Sequence, residues 1–169
     1  MFNAIHIMKK EAYNFEFEVY DSIESLPEND AWLLSEAKEV TQHAYAPYSH
    51  FQVGAVARLE NGEIVTGSNQ ENASFPVGLC AERVLLAAAS SIYPKVPIET
   101  IAISYHNDNG KSDHPISPCG ICRQSLLEYE SRINHPIRLI LGGMEGKVYV
   151  IDNAAMLLPL SFTSEDLKL

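Results

Sequence analysis

Basic residues are scarce in this sequence: 12 lysines and arginines face 22 aspartates and glutamates, for a formal net charge of −10. Proteins that grip a polynucleotide draw much of their affinity from phosphate neutralisation and carry a basic stripe. The few cations here are scattered, which argues against a nucleic-acid polymer as partner. Long apolar runs are missing too. No stretch approaches the roughly 18 residues of a membrane span, and no signal-peptide core is visible, so the expectation is a cytoplasmic protein without a membrane partner. Cysteine is limited to 3 residues. An odd, small number cannot pair completely within one chain, which excludes a disulfide framework and suits a reducing compartment and metal ligation. The single tryptophan, Trp32, reads as a packing residue.

All 3 cysteines fall in two short stretches, Cys80-Ala81-Glu82-Arg83 and Pro118-Cys119-Gly120-Ile121-Cys122-Arg123-Gln124. The two-residue gap between Cys119 and Cys122 lets two thiolates clasp one tetrahedral Zn2+, and Cys80 is available as a third ligand. Three soft ligands without an evident fourth suit a catalytic zinc, which keeps one position open for water. Glu82, two residues past Cys80, can exchange protons with that water without being a ligand.

Two other readings compete. Cys-x-x-Cys is also a redox motif, but no thioredoxin-like strand precedes it. A closed structural zinc in a non-catalytic interaction domain needs a histidine, for which His43, His50, His106 and His114 are candidates. That reading leaves Glu82 without a task. The whole phrase, Cys-Ala-Glu followed by Pro-Cys-x-x-Cys, matches the signature of zinc-dependent nucleobase deaminases with Cys in place of His. Both stretches open predicted helices, where the macrodipole favours a thiolate. Three thiolates leave the site net negative, and Arg83 is placed to compensate by donating to ligand sulfurs.

The 169 residues allow one domain with a sizeable core. Met8 offers an alternative start, which sets residues 1–7 apart. Phe15, Phe17 and Val19 alternate with Glu16 and Glu18, as in an edge strand or an arm across a neighbour. The organisation expected is an N-terminal extension over 1–25 and a single catalytic domain over 26–169. A helix capped by Asn29 or Asp30 runs to about Tyr45. Val53–Leu59 and Ile64–Gly67 form a hairpin in which Asn61 and Gly62 both take positive φ. A helix from Cys80, a strand over Ile98–Tyr105 and a helix from Cys119 follow. Ile137–Leu141 and Lys147–Ile151 are strands around a Gly142-Gly143 turn, and Asp152 caps a last short helix. The fold class expected is α/β, a mixed sheet of about five strands with helices on its faces.

Further matches surround these motifs: Ala46-Pro47-Tyr48-Ser49-His50-Phe51-Gln52-Val53-Gly54-Ala55, Asn69-Gln70-Glu71-Asn72-Ala73, and Leu157-Leu158-Pro159-Leu160-Ser161-Phe162. Together with the cysteine stretches they make residues 33 to 167 resemble the small, homotetrameric, zinc-dependent cytidine deaminases. The resemblance implies a three-layer α-β-α domain and hydrolytic deamination of cytidine and deoxycytidine in pyrimidine salvage, using a zinc-activated water. Its ligands would be Cys80, Cys119 and Cys122, with Glu82 as the proton carrier.

For substrate binding, Phe51 reads as a ring to stack on the pyrimidine, with core packing as the other reading, and the resemblance implies Asn69 with Glu71 on the sugar 3′-hydroxyl. The latter two, one residue apart, share a face of an extended segment. Phe162, and Phe75 with it, would reach or border the active site of a neighbouring subunit, so the partner is a second copy of the chain. His50 is structural. Blasticidin S or guanine remains an alternative substrate within the same fold.

Overall fold

The computed structural model describes residues 8–168; residues 1–7, set apart by their sequence, lie outside the described residues. Strands that are apolar on both faces build the sheet. In the second strand, β2 (Phe51–Leu59), Ala55 and Ala57 belong to one apolar cluster and Val56 to another. The same division separates Ile101 and Ile103 from Ala102 in β4 (Ile98–Asn107), and Leu139 and Leu141 from Ile140 in β5 (Arg138–Gly142). Successive strand side chains point to opposite faces, so a strand covered on both sides reads as a continuous apolar run.

One face is covered by α1 (Glu28–Val40), through Leu33, Leu34, Ala37 and Val40. The other is covered by α2 (Ala81–Ile92) and α3 (Gly120–Ile133), through Leu85, Ala89, Leu126 and Tyr129. The result is a three-layer α-β-α arrangement.

With β1 (Glu18–Tyr20), β3 (Ile64–Ser68) and β6 (Val148–Ile151), the described sheet has six strands in the order β1-β6-β5-β4-β2-β3. β4 and β5 run parallel, and the other neighbouring pairs are antiparallel. The expected count was about five; the additional edge strand is β1, which pairs Glu18 with Val150 and Tyr20 with Val148. Upstream of it, Phe17 packs on Phe15 and on Tyr149, 5.6 and 4.9 Å between ring centroids.

Local chemistry corrects five other expectations. Pro27, not Asn29 or Asp30, is the N-cap of α1; Asp30 is buried and accepts from Arg138 Nη2 at 2.7 Å. A charge-assisted bond to a strand beneath the helix outweighs capping. The α-helix stops at Val40 and tightens into a 3-10 turn over Thr41–His43. Gly62 takes positive φ but Asn61 does not: its Oδ1 accepts from Glu63 N, and the loop has the longer form with glycine at the left-handed position. Asn153, not Asp152, caps the Ala154–Leu157 turn, its side chain accepting from Ala155 N. Trp32 is exposed on α1 rather than packed inside.

Candidate active site

Cys80 and Cys119 are the N-caps of α2 and α3, each in extended backbone conformation, so both thiols sit where the helices present unpaired amides. Gly67 fixes the height of α2 on the sheet. A Cβ built there would lie 2.4 Å from Ala81 O and 2.6 Å from Leu85 N, so only glycine lets β3 and the first turn of α2 approach this closely. On the other helix, Arg123 staples the approach to Cys119: its Nε donates to Pro118 O at 2.8 Å and its Nη1 to Leu157 O at 3.0 Å.

The three sulfurs converge. Cys80 Sγ and Cys119 Sγ are 3.7 Å apart, Cys119 Sγ and Cys122 Sγ 3.4 Å, and all three lie within 4.8 Å of one another. Ligand sulfurs at about 2.3 Å in a tetrahedral zinc site stand about 3.8 Å apart, so this donor set fits the metal. Among the described residues no histidine joins the group. None of the three cysteines is in a disulfide. The thiol hydrogen bond from Cys122 draws the Cys80 pKa down to about 6, while the same contact and burial push Cys122 up. A thiolate is therefore already favoured at Cys80.

Glu82 follows in the first turn of α2 and is 5% exposed. Burial raises its pKa, and bonds from its own amide and the Cys122 thiol offset this only in part. It borders the same cavity as Cys80, Cys119 and Arg83, a space of about 630 Å³. The Arg83 charge helps hold the Cys80 pKa down. Among the described residues no hydrogen bond runs from its guanidinium to a sulfur, so the expected donation is absent in this geometry.

Phe51, Asn69 and Glu71 line the same cavity. Asn69 is fastened to β2, its Oδ1 accepting from Val53 N at 2.7 Å and its Nδ2 donating to Phe51 O at 2.9 Å. One Nδ2 hydrogen is left over. Glu71 Oε2 accepts from the amides of Tyr48 and Ser49 at 2.9 and 3.3 Å. Burial pushes the Glu71 carboxyl up, but hydrogen bonds from Ser49 and the Tyr48 amide prevail and hold it below the ordinary range. Its Oε1 is available to a hydroxyl. His50 takes a left-handed backbone conformation in the turn before β2.

Phe162 is not brought to this cavity within its own chain. It borders a separate groove with Gln124 and Thr163, and Gln124 Nε2 holds its carbonyl at 2.9 Å. Phe75, by contrast, stands at the cavity, 77% exposed and edge-on to Tyr48. Sequence reasoning missed the apolar lining from Leu79 and Ile116 and the staple by Arg123. Ile116 lies just upstream of the Pro118-Cys119 phrase, which was the available signal.

A family model described as the cytidine and deoxycytidylate deaminase zinc-binding region matches residues 27–135. The curated cytidine deaminase of Halalkalibacterium halodurans is 36% identical over 80% of this chain and 96% of its own length. The blasticidin-S deaminase of Bacillus cereus is 29% identical over 82% of this chain and 96% of its own length. Among solved structures, the cytidine deaminase from Burkholderia pseudomallei superposes with a TM-score of 0.68 at 34% identity, covering 81% of this chain and all of that one (100%). Cysteine geometry, family match and full-length relatives agree, and the chain belongs to the cytidine and deoxycytidylate deaminase zinc-binding family.

Proposed function

We propose that the chain hydrolyses cytidine and deoxycytidine to uridine and deoxyuridine, releasing ammonia, as a step of pyrimidine salvage in the cytoplasm. The observation that carries this reading is the buried carboxylate of Glu82 on the same cavity as the converging cysteines. Residues 26–169 form the catalytic domain in this reading, with 1–25 an extension.

Cys80, Cys119 and Cys122 would hold the zinc. Bound there, the ion supplies Lewis acidity that lowers the pKa of water toward about 7. Glu82 accepts a proton from the attacking water and delivers it to N3 as oxygen bonds to C4. It then helps a second proton reach the amino group, and the C4–N bond breaks with ammonia leaving. Water and amine thereby become carbonyl and ammonia, with no oxidant or reductant needed. Burial raises the pKa of this carboxyl, the direction that suits a group that must give back the proton it takes. Arg83 offsets the negative charge of the thiolates through space.

Phe51 offers its ring to the pyrimidine. Asn69 Nδ2 and Glu71 Oε1, the groups that the backbone leaves free, hold the sugar hydroxyl. The exposed apolar groups Phe75, Ile121 and Phe162 support a homotetramer in which Phe162 of one chain closes the cavity of another.

The similarity to a blasticidin-S deaminase keeps that nucleoside-like antibiotic as a second substrate. Absorbance assays on cytidine, deoxycytidine, blasticidin S, guanine and free cytosine decide the question. Cytidine and deoxycytidine are expected to turn over, and cytosine poorly, because it lacks the sugar. Equal turnover of cytosine and cytidine would remove the role of Asn69 and Glu71. Turnover of blasticidin S or guanine alone would replace the substrate assignment.

A further inference from the structure

Phe51 lies face to face with Tyr105 of β4, ring centroids 4.9 Å apart and planes inclined by 17°. Tyr105 is 1% exposed and stands behind the cavity wall rather than on it. Its hydroxyl is 3.2 Å from His114 Nδ1, which is 3.3 Å from Asp113 Oδ1. His114 belongs to the 108–119 segment that goes on through Ile116 and Ser117, both lining the cavity, to Cys119. Two residues before His114 the same segment is tied to β4, where Asn107 N donates to Ser112 Oγ at 2.9 Å. One buried side chain therefore touches both walls of the site: its ring supports the aromatic on β2, and its hydroxyl holds the segment that delivers a metal ligand.

We propose that Tyr105 is a positioning residue that sets the orientation of Phe51 and, through His114, the course of the 108–119 segment, and so determines how tightly the pyrimidine is held. The proposal rests on the reading of Phe51 as the surface on which the base stacks. With one face covered by Tyr105, Phe51 meets substrate with its remaining face and edge. An unsupported phenyl at the start of a strand would be ordered only when substrate arrived, and ordering a side chain on binding reduces affinity. Tyr105 orders it beforehand.

The test uses the zinc-loaded protein and three variants, Tyr105→Leu, Tyr105→Phe and His114→Ala. Two quantities are measured, steady-state kinetics on cytidine and the Kd of the product uridine. Tyr105→Leu removes the ring pair and is expected to raise KM and the uridine Kd roughly 2- to 12-fold, the span of one aromatic pair. Its kcat and zinc content stay near wild type. Tyr105→Phe keeps the ring and recovers most of that loss. His114→Ala cuts the same hydroxyl–imidazole contact and also the edge-on ring contact at 5.7 Å, so it is impaired at least as much as Tyr105→Phe.

An unchanged KM in Tyr105→Leu overturns the proposal. So does a Tyr105→Phe variant as impaired as Tyr105→Leu, or a fall of kcat, zinc content and thermal stability in step. If Tyr105→Leu fails to fold, the comparison of Tyr105→Phe with His114→Ala still decides, since a His114→Ala variant that binds uridine as tightly as wild type contradicts the role given to the hydroxyl–imidazole contact. A wild type that binds uridine but leaves cytidine intact refutes the deaminase reading and not the stack.

Discussion

Cys80 Sγ lies 3.7 Å from Cys119 Sγ although 39 residues separate them in the chain. Two helices, each begun by one of these cysteines, lie side by side on the same face of the sheet and bring their N-termini together. One zinc per chain is expected by elemental analysis. At a zinc concentration 100 times Kd, mass action stabilises the fold by about 2.7 kcal/mol. Chelation should therefore lower Tm by about 5–10 °C for a domain of this size. A chelator that leaves Tm and activity untouched contradicts this.

Thiol reactivity in the zinc-free protein reads the electrostatics directly. Cys80, with its pKa lowered to about 6, is mostly thiolate at pH 7, whereas Cys122 is buried and held protonated. The thiolate is the nucleophile. Brief iodoacetamide treatment at pH 7 should label Cys80 well before Cys122, as read by peptide mass spectrometry. The rate at Cys80 should fall as pH drops through about 6, since protonation removes the nucleophile. Labelling of Cys122 first would reverse the assignment.

Gly67 and Gly62 make a matched pair of tests. Gly67→Ala forces a methyl against Ala81 O and Leu85 N and should cost about 1–3 kcal/mol, the usual range for overpacking. It should also lower zinc content, because the displaced element is the start of α2. Gly62→Ala meets no atom but sits at φ 84°, so it should cost a similar amount by strain, about 1–2 kcal/mol, with zinc content unchanged. Thermal melts with elemental analysis separate the two.

What could be read from the sequence was what residue type and spacing decide. The two-residue gap of Cys119 and Cys122, read together with Cys80-Ala81-Glu82, points to a metal site, and the apolar runs of β2, β4 and β5 point to a sheet covered by helices on both faces. What could not be read depends on contacts between elements remote in sequence. Asp30 looks like a helix cap until Arg138, 108 residues away, takes its carboxylate. Gly67 looks like an ordinary strand residue until α2 lies on it. Tyr105 looks like one more apolar strand position until Phe51 and His114 meet on it. The grouping of Cys80 with the other two cysteines was legible from their count and motif, but the packing that brings Cys80 to Cys119 was not, because no local rule spans that distance.

Phe162 tests the assembly. It is 59% exposed and apart from its own cavity. Phe162→Ala should raise KM for cytidine while zinc content and kcat stay near wild type, and light scattering should find a tetramer for the wild type. A fully active monomer contradicts a shared site.

The deaminase account turns on the carboxylate of Glu82, and the direct measurement is kcat of Glu82→Gln on cytidine in protein of verified zinc content. The amide keeps the side chain's size and cannot carry the protons. The account predicts a loss of at least about 10²- to 10⁴-fold, the span of general acid–base catalysis, with zinc still bound. Near wild-type turnover by the zinc-replete variant would show that another group moves the protons and would contradict the account.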